Sequence, residues 1–60
     1  MQNHRLLGDN IFIGTSAVVI GRIHIGNNVI IGANSVVTRD VPENSIAVGS
    51  PAKIWKRKDI

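Results

Sequence analysis

The chain is 60 residues long, which limits it to one small domain with little material for enclosing a core. It has no cysteine, so neither a disulfide nor a cysteine-based zinc site can staple it, and Phe12 and Trp55 are its two aromatics, too few for the stacking platforms of nucleic-acid binding. The net charge of +3 suits an anionic partner, while no apolar run reaches transmembrane length and the start lacks the basic-then-apolar layout of a secretory signal. A cytoplasmic protein with no nucleic-acid or membrane partner is the resulting expectation.

From Leu7 onwards an aliphatic residue recurs at every sixth position: Leu7, Ile13, Val19, Ile25, Ile31 and Val37. Four residues after each comes a second small or aliphatic position, occupied by Ile11, Ala17, Ile23, Val29, Ser35 and Val41. Two inward positions per six residues suit a short strand, a bend and the next strand. Three residues after each first aliphatic stand Asn10, Ser16, Arg22, Asn28, Asn34 and Asp40. Asn and Asp tolerate the left-handed backbone of a tight corner. Three such units close a triangular coil, predicting one coil over residues 7–24 and a second over 25–42, stacked about 4.8 Å apart. Glycines at fixed phase and the β-branched content disfavour a helix, and an antiparallel meander would not hold one phase through both coils. The expected class is therefore all-β, a parallel β-helix of about two to three coils, with a handedness that the period alone does not supply.

The last position of each unit points outward, and residues one coil apart share a face. Phe12 then lies over Ile30, Val18 over Val36, and His24 over Pro42. Apolar side chains in register on two of the three faces read as an interface. Two coils also provide a small core for the chain to be ordered upon, so neighbours are expected.

After Val41 the period breaks. Pro42, Glu43 and Asn44 read as a loop, and the aliphatic phase resumes at Val48, followed by Gly49. Ser50-Pro51-Ala52-Lys53-Ile54-Trp55 predicts a short C-terminal helix, with Ser50 as N-cap and Pro51 at the first helical position. Ile54 and Trp55 would cover the bottom of the prism, while Lys53, Lys56, Arg57 and Lys58 crowd the last turns. The whole chain then forms a single unit, residues 1–60, of which 43–60 is loop, helix and tail.

The stretch Ile31-Gly32-Ala33-Asn34-Ser35-Val36-Val37-Thr38-Arg39-Asp40-Val41-Pro42, followed by Val48-Gly49-Ser50-Pro51-Ala52-Lys53, resembles the closing coil and tail of bacterial acetyl-CoA-dependent O-acetyltransferases of the hexapeptide-repeat kind. The likeness to serine acetyltransferases and maltose or galactoside acetyltransferases runs over residues 4–58. It implies a left-handed β-helix, a homotrimer, and acetyl-CoA held in a groove between adjacent prisms as co-substrate. By position, the resemblance marks Thr15, Ala33, Thr38, Arg39, Lys53 and Lys56 as coenzyme contacts. Small residues at 15 and 33 would let the pantetheine arm approach the backbone, and the three cations could pair with nucleotide phosphates.

His4-Arg5-Leu6-Leu7-Gly8 resembles a loop of serine acetyltransferases whose histidine lies near the acceptor. His4 is therefore the candidate acceptor-side catalytic residue, with Arg5 standing where that loop carries a proline. The family's general base is a histidine about two coils upstream, and no position here matches it. His24 reads as a surface histidine. Two histidines cannot form the zinc site of the related γ-class carbonic anhydrases, so no metal is expected. The reading is thus the acetyl-CoA-binding C-terminal part of an enzyme that acetylates a hydroxyl of serine or a sugar. The alternative is a catalytically inactive, trimerising remnant of such an enzyme.

Overall fold

The computed structural model describes residues 5–57. These residues form eight short strands and no helix: β1 (Arg5–Leu7), β2 (Ile11–Ile13), β3 (Val18–Val19), β4 (Ile23–Ile25), β5 (Val29–Ile31), β6 (Val36–Val37), β7 (Ser45–Gly49) and β8 (Ala52–Lys56). Strand β1 pairs with β4, β2 with β5, and β3 with β6, all parallel. The register places Arg5 beside Ile23, Ile11 beside Val29 and Val18 beside Val36, so the chain returns to each face one full coil later. The result is a left-handed parallel β-helix, a three-sided prism with one short sheet on each side.

The corners follow from residue chemistry. Asn10, Ser16, Asn28 and Asn34 all adopt φ near +60°, within a range of 59–62°. Asn reaches this conformation at low cost because its short polar side chain bonds locally. Here the amides also stack: Asn10 Nδ2 donates to Asn28 Oδ1 at 3.2 Å, and Asn28 Nδ2 donates to Asn44 Oδ1 at 3.1 Å. A glycine two residues before a corner serves close approach instead. A Cβ on Gly14 would lie 2.6 Å from Ala33 N in the coil below.

The third corner departs from the expected pattern. Its left-handed residue is Gly21 rather than Arg22, and Asp40 is not left-handed. Asp40 instead turns its carboxylate back, so that Oδ1 accepts the His24 N–H at 3.0 Å, where a strand carbonyl would otherwise sit. The lower coil then loses two residues on this face. Ile25, not Ile23, bridges Val41, and the next strand pairs Ile30 with Ile46, an offset of sixteen also seen in the Asn28–Asn44 contact. Val41 N–H donates to His24 O and Gly26 N–H donates to Val41 O, both at 2.9 Å, and Asn44 N–H donates to Asn27 O at 2.8 Å. The coils thus stay paired past Pro42, and the predicted stack of His24 on Pro42 gives way to this arrangement.

Ile23, Ile25, Val29, Ile31, Val37, Val41 and Ala47 form the core, flanked by half-buried Ile11, Ala17, Val19, Ala52 and Ile54. The inward phase continues through Ser45 and Ala47, both fully buried, so Val48 lies on the outer face and not in the aliphatic column. The two ends of the prism differ. In the lower coil Ile25 and Ile31 are 2% and 0% exposed, whereas at the same phase of the upper coil Leu7 and Ile13 are 55% and 45% exposed.

The predicted C-terminal helix is absent. Residues 52–56 form β8, which turns back at Ser50-Pro51 and pairs antiparallel with β7, from Gly49↔Ala52 to Ser45↔Lys56. The Ser50-Pro51 pair carries helix-start chemistry, but the following residues alternate: Ala52 and Ile54 are half-buried while Lys53 and Trp55 are exposed. That period of two, together with the open edge of β7, selects a strand over a helix. Ile54 packs on the core as expected, but Trp55 remains 60% exposed and does not cover the bottom of the prism.

Candidate functional site

Strand β6 pairs with β3 alone, whereas β5 is continued below by β7 and β8. One side of the prism therefore ends a rung higher than its neighbour. Beneath that step lies a cleft of about 430 Å³ lined by Thr38 and Arg39 from the third corner and by Pro51, Ala52, Lys53 and Ile54 from the hairpin. The hairpin at 50–51 folds the chain back before a third strand can form under β6. The cleft is the space left by that missing strand.

Strand alternation decides which cations reach the cleft. Lys53 and Lys56 are an odd number of residues apart, so they leave β8 on opposite sides. Lys53 borders the cleft. Lys56 Nζ donates to Glu43 O at 3.1 Å, Arg57 N–H donates to Asn44 O at 2.7 Å, and Arg57 Nη1 donates to Asn28 O at 3.3 Å. Lys56 and Arg57 thus clasp the end of the hairpin to the asparagine corner. Among the described residues, neither Arg39 nor Lys53 has a carboxylate partner. Two unneutralised cations beside a hydroxyl and a small apolar wall make a cleft suited to an anionic group with an apolar attachment.

The residues singled out in the sequence fall into three groups. Thr38, Arg39 and Lys53 are brought together in the cleft. Thr15 and Ala33 share the second corner, where Thr15 O accepts the Asn34 N–H at 2.9 Å, and the hairpin turn lies below them in the same column. The outward pair Val18 and Val36 occupies the face between this corner and the third, leading down towards the cleft. Lys56 stands apart at the first corner, and His4 lies outside the described residues. His24 is exposed on β4 and does not line the cleft. No group of three or more His, Asp or Glu side chains that could hold a metal occurs among the described residues. Nor is any helix among them long and apolar enough to cross a membrane.

Sequence reasoning passed over Pro51, Ala52 and Ile54 as lining residues, because a helix there would have pointed them elsewhere. It also passed over Ser35, whose hydroxyl accepts the Gly49 N–H at 3.1 Å. A signal was present: Ser35 is the one polar residue in a column otherwise made of Ile, Val and Ala.

A left-handed β-helix closed below by a hairpin and carrying a cationic cleft at its last corner belongs to a recognisable class of hexapeptide-repeat prisms. Residues 6–39 match the family described as bacterial transferase hexapeptide (six repeats), and the chain belongs to that family. It is 44% identical over 59 residues to a serine acetyltransferase of Synechococcus elongatus, covering 98% of this chain and 24% of that protein. In three dimensions it resembles a maltose O-acetyltransferase from Clostridium difficile 630, with a TM-score of 0.87 and 43% identity over 97% of this chain and 31% of the other. PerB from Caulobacter crescentus, solved in complex with CoA and GDP-perosamine, matches with a TM-score of 0.84 and 42% identity over 88% of this chain and 26% of that one. The chain therefore spans about a quarter to a third of the length of these relatives.

Proposed function

We propose that this chain binds acetyl-CoA, with nucleotide phosphates in the cleft formed by Thr38, Arg39 and Lys53, and so supplies the coenzyme part of an O-acetyltransferase. The observation that carries the reading is the convergence of Arg39 and Lys53, neither with a carboxylate partner among the described residues, on one open cleft of about 430 Å³. A diphosphate between them would accept charge-assisted hydrogen bonds from both, and the Thr38 hydroxyl could add a third. The pantetheine arm would run up the Val18–Val36 face past Thr15 and Ala33, where short side chains leave the backbone accessible. Lys56 would contribute through the field of the cleft or after leaving Glu43.

The reaction that follows is acetyl transfer to a hydroxyl. The acceptor oxygen attacks the thioester carbonyl, its proton passes to a general base, and CoA leaves as the thiol. The residues described here hold the donor and do not include the base, which we place upstream in a longer protein, with His4 on the acceptor side. Names among the relatives favour serine or a sugar as acceptor. In the same reading, three chains assemble so that apolar faces cover one another and each cleft gains a second wall.

Calorimetric titration with acetyl-CoA tests the proposal. Lys53→Ala is expected to weaken binding about tenfold, the loss of roughly one charge-assisted contact. Lys56→Ala should weaken it by less, because its ammonium is engaged at the first corner. Absence of binding by a folded sample would leave the structural, non-catalytic reading in its place.

A further inference from the structure

We propose that Ser35 is a positioning residue for this cleft: its buried hydroxyl holds the hairpin turn that carries Lys53 at a set distance from Thr38 and Arg39. The inference rests on the anion-binding reading given above.

The hydrogen-bond pattern isolates the role. The ladder between β5 and β7 reaches as far as Gly32 N–H donating to Ala47 O, at 2.9 Å. Strands β7 and β8 nevertheless run on to the Gly49–Ala52 pair, so the turn and Pro51 overhang the end of β5. Among the described residues, the hydrogen bond that reaches this overhang from the coil above is Gly49 N–H to Ser35 Oγ, at 3.1 Å. Ser35 is 1% exposed, at an inward phase that elsewhere holds Ile11, Ala17, Ile23, Val29 and Val41 and, below Val29, Ser45, whose hydroxyl donates to Glu43 O at 3.1 Å. A hydroxyl there adds nothing to the apolar core and would be costly without a partner. No buried side-chain oxygen or nitrogen lacks one among the described residues.

The position of the bond matters as much as its presence. Ser35 immediately precedes β6, whose far end leads into Thr38 and Arg39. Gly49 immediately precedes the turn into Pro51, Ala52 and Lys53. One hydrogen bond therefore ties together the roots of both cleft walls. Gly49 has φ +107°, a conformation that a residue with a Cβ rarely adopts, so its N–H is aimed at Ser35 by backbone that glycine makes accessible. With the tether in place, Arg39 and Lys53 are held side by side before any ligand arrives. Without it the two like charges separate, and ligand binding must also order the turn.

Double-mutant titration separates this role from a merely structural one. Acetyl-CoA is titrated into the wild-type chain, Ser35→Ala, Ser35→Thr, Lys53→Ala and the Ser35→Ala/Lys53→Ala pair, with amide exchange followed in the first three. Ser35→Ala should weaken binding about three- to tenfold, the range of one lost hydrogen bond. Ser35→Thr, which keeps the oxygen, should recover it. In the Lys53→Ala background the Ser35→Ala change should add nothing, because Ser35 acts through Lys53. Amides of Gly49 and residues 52–56 should exchange faster in Ser35→Ala, with those of Val29–Ile31 unchanged. Additive losses, or undiminished binding by Ser35→Ala, would overturn the proposal. If the wild-type chain binds no acetyl-CoA, the coenzyme reading fails, and the exchange data alone decide the tether: unaltered protection at Gly49 and Lys53 sinks it. Should Ser35→Ala fail to fold, Ser35→Cys, of similar volume and weak as an acceptor, takes its place in every comparison.

Discussion

Asn28 combines two roles that are easily confused in the sequence. Its φ of +59° is one a residue with a Cβ enters at a cost, and its side chain bonds both the coil above and the chain below. Asn28→Ala should lower stability by about 2 kcal/mol, from the strained backbone plus two side-chain hydrogen bonds, one exposed and one part-buried. Asn28→Gly relieves the backbone and should recover about 1 kcal/mol of that. Urea midpoints of the two variants measure the split, and equal losses would mean that the ladder alone matters. The Asn positions were legible because their residue type and their spacing agree. Arg22 and Asp40, at the same spacing, were not corners of that kind. At Gly21 a neighbouring glycine offered cheaper backbone, and at Asp40 the carboxylate took the His24 N–H instead.

At the scale of elements, the C-terminal hairpin is where local signals and packing disagree. Ser50 and Pro51 are good helix-start residues, and a helix would have put Ile54 and Trp55 on neighbouring positions of one surface. Strand β8 separates them, sending Ile54 against the core and Trp55 to solvent. Ile54→Ala should therefore destabilise the chain by about 1–2 kcal/mol, as expected for a half-buried aliphatic. In the monomer, Trp55→Ala should stay within about 0.5 kcal/mol of wild type. Thermal melts of both variants test this, and comparable losses would contradict the alternation. The same alternation divides the basic tail, sending Lys53 to the cleft and Lys56 to the first corner. A compositional reading treats those lysines as one patch.

For the whole molecule, the exposed surface is the informative feature. Phe12 pairs with Ile30, Ile30 with Ile46, and Ile46 with Trp55, so one apolar row crosses all four strands of the largest sheet. Phe12 and Trp55 at its ends are among the exposed large hydrophobics, as are Val18 and Ile20 on other parts of the prism. Rows of this kind favour association, and the reading above requires three chains. Light scattering should give a trimer, and Trp55 emission should shift to shorter wavelength as concentration rises. A monodisperse monomer with unchanged emission at high concentration would remove the trimer from the proposal. The upper end adds a second apolar surface, a hollow lined by Leu7, Ile13, Ala17, Val18 and Val19.

The hexapeptide phase determined the class of fold, the three-sided coil and most of the core, because a period of six leaves few ways to bury two side chains per unit. The residues Thr38, Arg39 and Lys53 could also be named in advance, but from a resemblance and not from their spacing. Only the tertiary structure decided that they share a cleft. That outcome depends on the contraction of the lower coil at Asp40, the reversal of the chain at residues 50–51, and the choice of strand over helix after Pro51. Each of these is a competition between a local preference and an unpaired edge elsewhere in the fold. A sequence records the preference, whereas the edge exists only once the coils have stacked.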